Sequence, residues 1–270
     1  MLKPAVMLMS VNGMDGAKVV LADELRHWKT LGAQGIDVFL SVLDAFGETP
    51  SGMNTMLSDM GLEAPVCYVG TDMITKDDGK LLAMSMERIR RGIDACAELG
   101  SKWLFNYGGQ HSNSGEDAMK RYAENLARVA DMCAGNGLGL LIENAGRMCN
   151  TADSLMQVLL MAGRENIGIA FDGGNFITCG EEPHEAVMKL REHARHVHVK
   201  SHMPAPAGSA TPYKYCPTGE GHPDYCFIRD RLLEAGYDGW FAFETEGGAD
   251  SDWDLSIPRV AEICSGASGT

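Results

Sequence analysis

Eight times along the chain a short apolar run is followed by a stretch of helical periodicity, and that alternation leaves very few folds open. The runs are PAVMLMSV (4–11), GIDVFL (35–40), PVCYVG (65–70), KWLFNYGG (102–109), LLIEN (140–144), GIAFD (168–172), HVHVKS (196–201) and WFAFETE (240–246). Between them the periodicity predicts helices over 17–32, 52–60, 80–99, 116–134, 151–162, 182–193, 226–235 and 257–264. The clearest is 116–134, with Met119, Tyr122, Leu126, Val129 and Cys133 on one face and Gly135 and Gly137 past its end. Strict strand–helix alternation implies parallel strands joined by right-handed crossovers. Eight such units in 270 residues fit a closed (β/α)8 TIM barrel, with an open doubly wound sheet as the alternative. No linker divides the chain, so one α/β domain is expected over 1–265, with 266–270 as a flexible tail.

The run HVHVKS carries the first functional signal. Val197 and Val199 share one face of a strand; His196, His198 and Lys200 share the other. A face of ionisable groups makes a poor core surface, because unpaired buried charge is costly. It makes sense beside a ligand. Three other runs place an acid near their C-terminal ends: Glu143, Asp172 and Glu244. In a barrel the active site lies at the C-terminal rim, so Glu143, Asp172, His198 and Glu244 are expected to converge there. Each alone could be a strand-end residue bonded to a helix N-terminus or a lysine.

Three carboxylates cannot crowd together in ionised form without a counter-charge, and a divalent cation supplies one. Three oxygen donors with one imidazole make a harder site than thiolate or multi-histidine zinc sites. Mn²⁺ is the favoured ion, with Mg²⁺, Co²⁺ and Zn²⁺ as alternatives. Glu246, two residues on, is the rival of Glu244 and shares its face. His196 reads as a hydrogen-bonded histidine deeper in the barrel. Tyr107, His111, Asn144, Arg147 and His202 are candidates to line the pocket, against the plainer reading of ordinary loop residues. Trp103 and Trp240 read as packing.

From the fourth run to the eighth the chain resembles the xylose isomerase-like TIM-barrel superfamily of sugar phosphate isomerases and epimerases. The resemblance rests on IEN (142–144), FDGGNF (171–176), HVHVKS (196–201), GEG (219–221) and GYDGWFAFETE (236–246). It implies the same metal set, Glu143, Asp172, His198 and Glu244, with Glu143 and Glu244 as the acid/base pair. It also implies that Lys200 and position 175 face substrate. Many relatives carry histidine at position 175, where this chain has Asn175, and aspartate after the lysine, where it has Ser201. The activity implied is metal-dependent isomerisation or epimerisation of a small keto- or aldo-sugar by proton transfer. The alternative is a lyase on the same scaffold: an inosose or dehydroshikimate dehydratase, or β-elimination on an oxidised glycoside. An endonuclease or a non-enzymatic sugar-binding protein is the more distant reading.

Composition separates these classes. A formal net charge of −14 opposes a nucleic-acid surface, which needs a basic stripe, and a small carbohydrate-like substrate is the expected partner. The apolar run near the N-terminus is too short to cross a bilayer. The 8 cysteines form no C-x-x-C pair and read as reduced, buried thiols of a cytoplasmic protein. The 17 methionines read as core filler. A homo-oligomer is compatible with all of this. The longest stretch without periodicity, 203–223, is expected to be a mobile flap over the site.

Overall fold

The computed structural model describes residues 1–8, 20–70, 79–106, 116–146, 148–245 and 252–267. Its strands are β1 (Lys3–Met7), β2 (Gly35–Phe39), β3 (Val66–Tyr68), β4 (Trp103–Asn106), β5 (Gly139–Glu143), β6 (Ile167–Asp172), β7 (Ala194–Val199), β8 (Ser201–Pro204), β9 (Tyr213–Cys216) and β10 (Trp240–Phe243). Eight of them, all but β8 and β9, close into a barrel in the order β1-β10-β7-β6-β5-β4-β3-β2, and every pairing in it is parallel. The expected (β/α)8 fold is the observed one. The helices are α1 (Leu21–Thr30), α2 (Leu40–Phe46), α3 (Pro50–Asp59), α4 (Gly79–Leu99), α5 (Glu116–Ala134), α6 (Ala152–Ala162), α7 (Gly173–Cys179), α8 (Pro183–Leu190), α9 (Tyr225–Glu234) and α10 (Trp253–Ser265).

The helices form where the apolar stripes demand it. Tyr122, Leu126, Val129 and Cys133 of α5 are all buried, as are Ile89, Ile93 and Cys96 of α4. Thr151 caps α6: its hydroxyl accepts the Ser154 N–H while Ser154 reaches back, a capping box. Two short helices, α2 and α7, have no periodic signal, being only 7 residues each. The second begins immediately after β6, because the Asp172 carboxylate accepts the Asn175 N–H at 2.9 Å and turns the chain.

Trp103 and Trp240 pack as expected. Each indole lies over a glycine of another strand, with β1 between the two in the first case: a Cβ on Gly35 would meet the Trp240 ring at 2.5 Å, and one on Gly139 of the adjacent β5 would meet Trp103 at 2.0 Å. Of the 8 free cysteines, six are buried; Cys226 is half-buried, and Cys179, at the end of α7, is exposed. The expectation of buried thiols therefore fails at Cys179. No helix among the described residues is long and apolar enough to cross a membrane.

The stretch 203–223 is more regular than its lack of periodicity suggests. Instead of an irregular segment it begins with an antiparallel hairpin, with Ser201 opposite Cys216 and Pro204 opposite Tyr213. The His202 and His222 backbones exchange two further hydrogen bonds of 2.8 Å each. The Tyr215 hydroxyl donates to Asp252, and the Thr218 N–H donates to Ser256 Oγ at 2.9 Å, tying the hairpin to α10. Strands of 4 residues joined through Pro, Gly and Ser carry too little alternation to be read from sequence.

Candidate metal centre

Strand register brings the ionisable residues together. His198 on β7 pairs with Asp172 on β6 and with Ala242 on β10, so Glu244 follows one inward step above Ala242. Glu143 arrives at the end of β5. One donor atom from each of Glu143, Asp172, His198 and Glu244 lies within 4.8 Å of the others, and all four residues are buried. His198 Nδ1 is 2.5 Å from Glu143 Oε1 and 3.5 Å from Glu244 Oε2. Lys200, also buried, sets its ammonium 3.0 Å from Asp172 Oδ2 and 3.1 Å from Glu244 Oε1.

The backbone beneath is held by side chains. Asn144 clamps Asp172 from both sides: its amide donates to the Asp172 carbonyl at 2.7 Å and its carbonyl accepts the Asp172 N–H at 2.9 Å. The Tyr225 hydroxyl accepts the Lys200 N–H at 2.9 Å and donates to the Lys200 carbonyl at 2.9 Å. Below the rim, His196 Nε2 bonds Asp37 Oδ2 at 2.7 Å across the barrel, as a buried histidine in its interior should. Phe105 lies against the His198 ring, with centroids 5.3 Å apart.

Crowding shapes the electrostatics. Burial alone would drive the His198 imidazole toward its neutral form. The adjacent Glu143 carboxylate outweighs burial, by charge and by hydrogen bond, and Glu244 and Asp37 add to it, so its pKa rises to about 9. Burial raises Glu244 to about 7; Asp172 and Glu143 push in the same direction, while Lys200 and His198 oppose them. The donors suit a divalent cation. Three carboxylates and an imidazole converge, and Glu244 Oε2 is buried with no hydrogen-bond partner.

The remaining expected residues divide. Asn175 is half-buried at the start of α7, with its backbone N–H on Asp172. His202 is buried in the hairpin, edge-on to Tyr215 with centroids 6.2 Å apart. Tyr107, His111, Arg147 and the rival Glu246 lie outside the described residues. Asp37 is a residue that sequence reasoning passed over, although GIDVFL has the same signature as the other acid-bearing runs. It went unread because the acid sits mid-strand rather than at the end. Tyr225 offered no signal, since its role is carried by a hydroxyl on two backbone groups far away in sequence.

Comparison with known proteins shows the family of the fold. The description of the xylose isomerase-like TIM barrel matches residues 10–262. The chain belongs to that family. Among curated relatives of this xylose isomerase-like barrel is the inosose dehydratase of Lacticaseibacillus casei, 24% identical over 144 residues, which are 48% of each chain. The match thus spans about half the length of that relative. Among solved structures, an L-ribulose 3-epimerase superposes with a TM-score of 0.79 at 19% identity, covering 99% of this chain and 95% of the other. An IOLI protein with a bound zinc atom superposes with a TM-score of 0.77 at 14% identity, covering 98% and 96%. At these identities the likeness is one of fold.

Proposed function

We propose that this xylose isomerase-like barrel is a divalent-metal-dependent isomerase or epimerase of a small keto- or aldo-sugar, with Glu143 and Glu244 moving the proton. The observation that carries it is the convergence of two glutamates on the same donor set as Asp172 and His198. Glu143, Asp172, His198 and Glu244 would hold the cation, Mn²⁺ first by the hardness of the donors, with Mg²⁺, Co²⁺ and Zn²⁺ as alternatives. The zinc atom of the IOLI protein keeps Zn²⁺ among them. A cation bound there supplies Lewis-acid polarisation of a carbonyl oxygen.

The chain's own residues would do the rest. One glutamate takes the proton α to the substrate carbonyl, and the C–H electron pair moves toward the carbonyl oxygen. The other glutamate returns a proton, to the opposite face of that carbon in an epimerase or to the neighbouring carbon in an isomerase. Lys200, held by Asp172 and Glu244 beside the site, offers an ammonium to a substrate oxygen. Asn175, His202, Tyr107, His111 and Arg147 remain the candidates for the outer pocket. Net charge −14 fits a small neutral substrate rather than a nucleic acid.

The inosose dehydratase match supports a second reading. A dehydratase takes the same α-proton, but the electron pair then expels the β-hydroxyl, which leaves as water with a proton from the second carboxyl group. One experiment serves both readings. Protein loaded with Mn²⁺ is incubated with keto-sugars and inososes in D₂O and followed by NMR. Deuterium at the α-carbon with a new sugar product supports isomerisation or epimerisation, and loss of water supports the lyase. Glu143→Gln and Glu244→Gln should each lower turnover by about 10²–10⁴-fold. Full turnover in both variants, or hydrogen transfer with no deuterium uptake, would remove the glutamate-pair reading.

A further inference from the structure

Beneath the four-residue cluster lies a second group of ionisable residues that the proposed chemistry does not use. Asp37 on β2 is 2% exposed, and His196 on β7 is fully buried. Asp37 Oδ2 is bonded to His196 Nε2 at 2.7 Å and lies 4.0 Å from His198 Nε2. The His196 and His198 rings meet edge-on, with centroids 5.3 Å apart and planes at 82°. Asp37 Oδ1 is buried with no hydrogen-bond partner.

The two ring nitrogens of His198 therefore face different acids. Nδ1 points to Glu143 and Glu244, and Nε2 points to Asp37. An imidazole that binds a cation through one nitrogen carries its proton on the other, and that proton needs an acceptor to fix the ring. Asp37 Oδ2, the oxygen that holds His196, is also the one nearest His198 Nε2, so the carboxylate faces both rings, while its Oδ1 is left unbonded where that is costly. A carboxylate can accept from both histidines, whereas an asparagine amide cannot do so with both of its atoms.

We propose that Asp37 is a positioning residue, whose carboxylate accepts the Nε2–H of His198 and so leaves Nδ1 as the atom presented to a cation. His196 holds the carboxylate in place from the far side. The proposal rests on the metal reading above. Asp37, His196 and His198 could instead form a second cation site, since their donor atoms also lie within 4.8 Å of one another. A cation on Asp37 Oδ2 and His196 Nε2 would have to replace the 2.7 Å bond between them, which favours positioning.

The test is titration of the metal-stripped protein with Co²⁺, read by calorimetry and by the visible absorption of the bound ion. The wild type should bind one Co²⁺ per chain. Asp37→Asn should weaken binding by about 10–100-fold and change the visible spectrum, and Asp37→Glu should recover part of the affinity. Metal-free melting temperatures report whether the variants fold. If Asp37→Asn does not fold, the Zn²⁺-loaded wild type labelled with ¹⁵N-histidine carries the test. The His198 proton is expected on Nε2, and a proton on Nδ1 overturns the proposal. Wild-type affinity and spectrum in a folded Asp37→Asn protein overturn it too, while leaving the metal reading intact. Two Co²⁺ per chain, with one lost in Asp37→Asn, would assign a second cation site instead. A wild type that takes up no Co²⁺ overturns the metal reading and this proposal together.

Discussion

Metal affinity in this barrel should depend steeply on pH, and the structure sets the slope. A cation can take His198 Nδ1 only after a proton leaves the ring. In the metal-free protein that ring has a pKa of about 9, because the Glu143, Glu244 and Asp37 carboxylates outweigh its burial. Below that value every pH unit costs about tenfold in affinity, or about 1.4 kcal/mol. From pH 9, where the ring is half protonated, to pH 7 the loss from His198 alone is then about 50-fold, about 2.3 kcal/mol. Glu244, raised to about 7, adds a second proton to displace as pH falls further. Calorimetric titration with Mn²⁺ in buffers of different ionisation heat counts the protons. About one should be released at pH 8 and about 1.5 at pH 7. His198→Gln should flatten the dependence above pH 7.5 or so. An affinity constant from pH 7 to pH 9, with no proton release at pH 8, would refute the assignment of His198 as a ligand held charged by its acid neighbours.

The same two groups act on stability without metal. Both pKa values are raised on folding, so the folded state binds the extra protons and stability should fall as pH rises, from about 4.5 to 7 through Glu244 and from about 6.5 to 9 through His198. Chemical denaturation with a chelator present would show a rise over that window if the assignment were wrong. Lys200→Met removes the ammonium from Asp172 and Glu244 and should destabilise the metal-free protein by about 3–5 kcal/mol. It should also widen the gap in melting temperature between Mn²⁺-loaded and stripped protein, and a narrower gap counts against it. Asn144→Ala leaves a buried N–H and a buried carbonyl of Asp172 unpaired, at a cost of about 2–4 kcal/mol in urea unfolding. Gly35→Ala drives a methyl group into the Trp240 ring and should cost about 1–3 kcal/mol; an unchanged urea midpoint would contradict the packing described.

The barrel was legible in the sequence because its cause is local and repeated. The barrel strands are buried on both faces as parallel strands, the apolar stripes pack the helices against them, and eight repetitions of a right-handed crossover leave little but closure. The placement of Glu143, Asp172, His198 and Glu244 was legible for the same reason: alternation tells which side chains face inward, and the strand ends lie at one rim. The resemblance in IEN, FDGGNF and HVHVKS points to the family that residues 10–262 match.

What tertiary structure alone decided are contacts between residues far apart in sequence. Asp37 and His196 are 159 residues apart and bond because β2 and β7 face each other across the barrel. Whether a mid-strand acid has a partner depends on the strand opposite, which no local pattern encodes. Lys200 reads in sequence as a cation on the site face of its strand; that it spans Asp172 and Glu244 follows from register and shear. The hairpin over 201–216 forms through pairing and through Asp252 and Ser256 of a distant segment, so its own residues show no periodicity. Even the charge states follow this rule. Glu244 departs from an ordinary glutamate because it is buried among acids and a lysine delivered by other strands, and sequence lists those neighbours without saying how close they come.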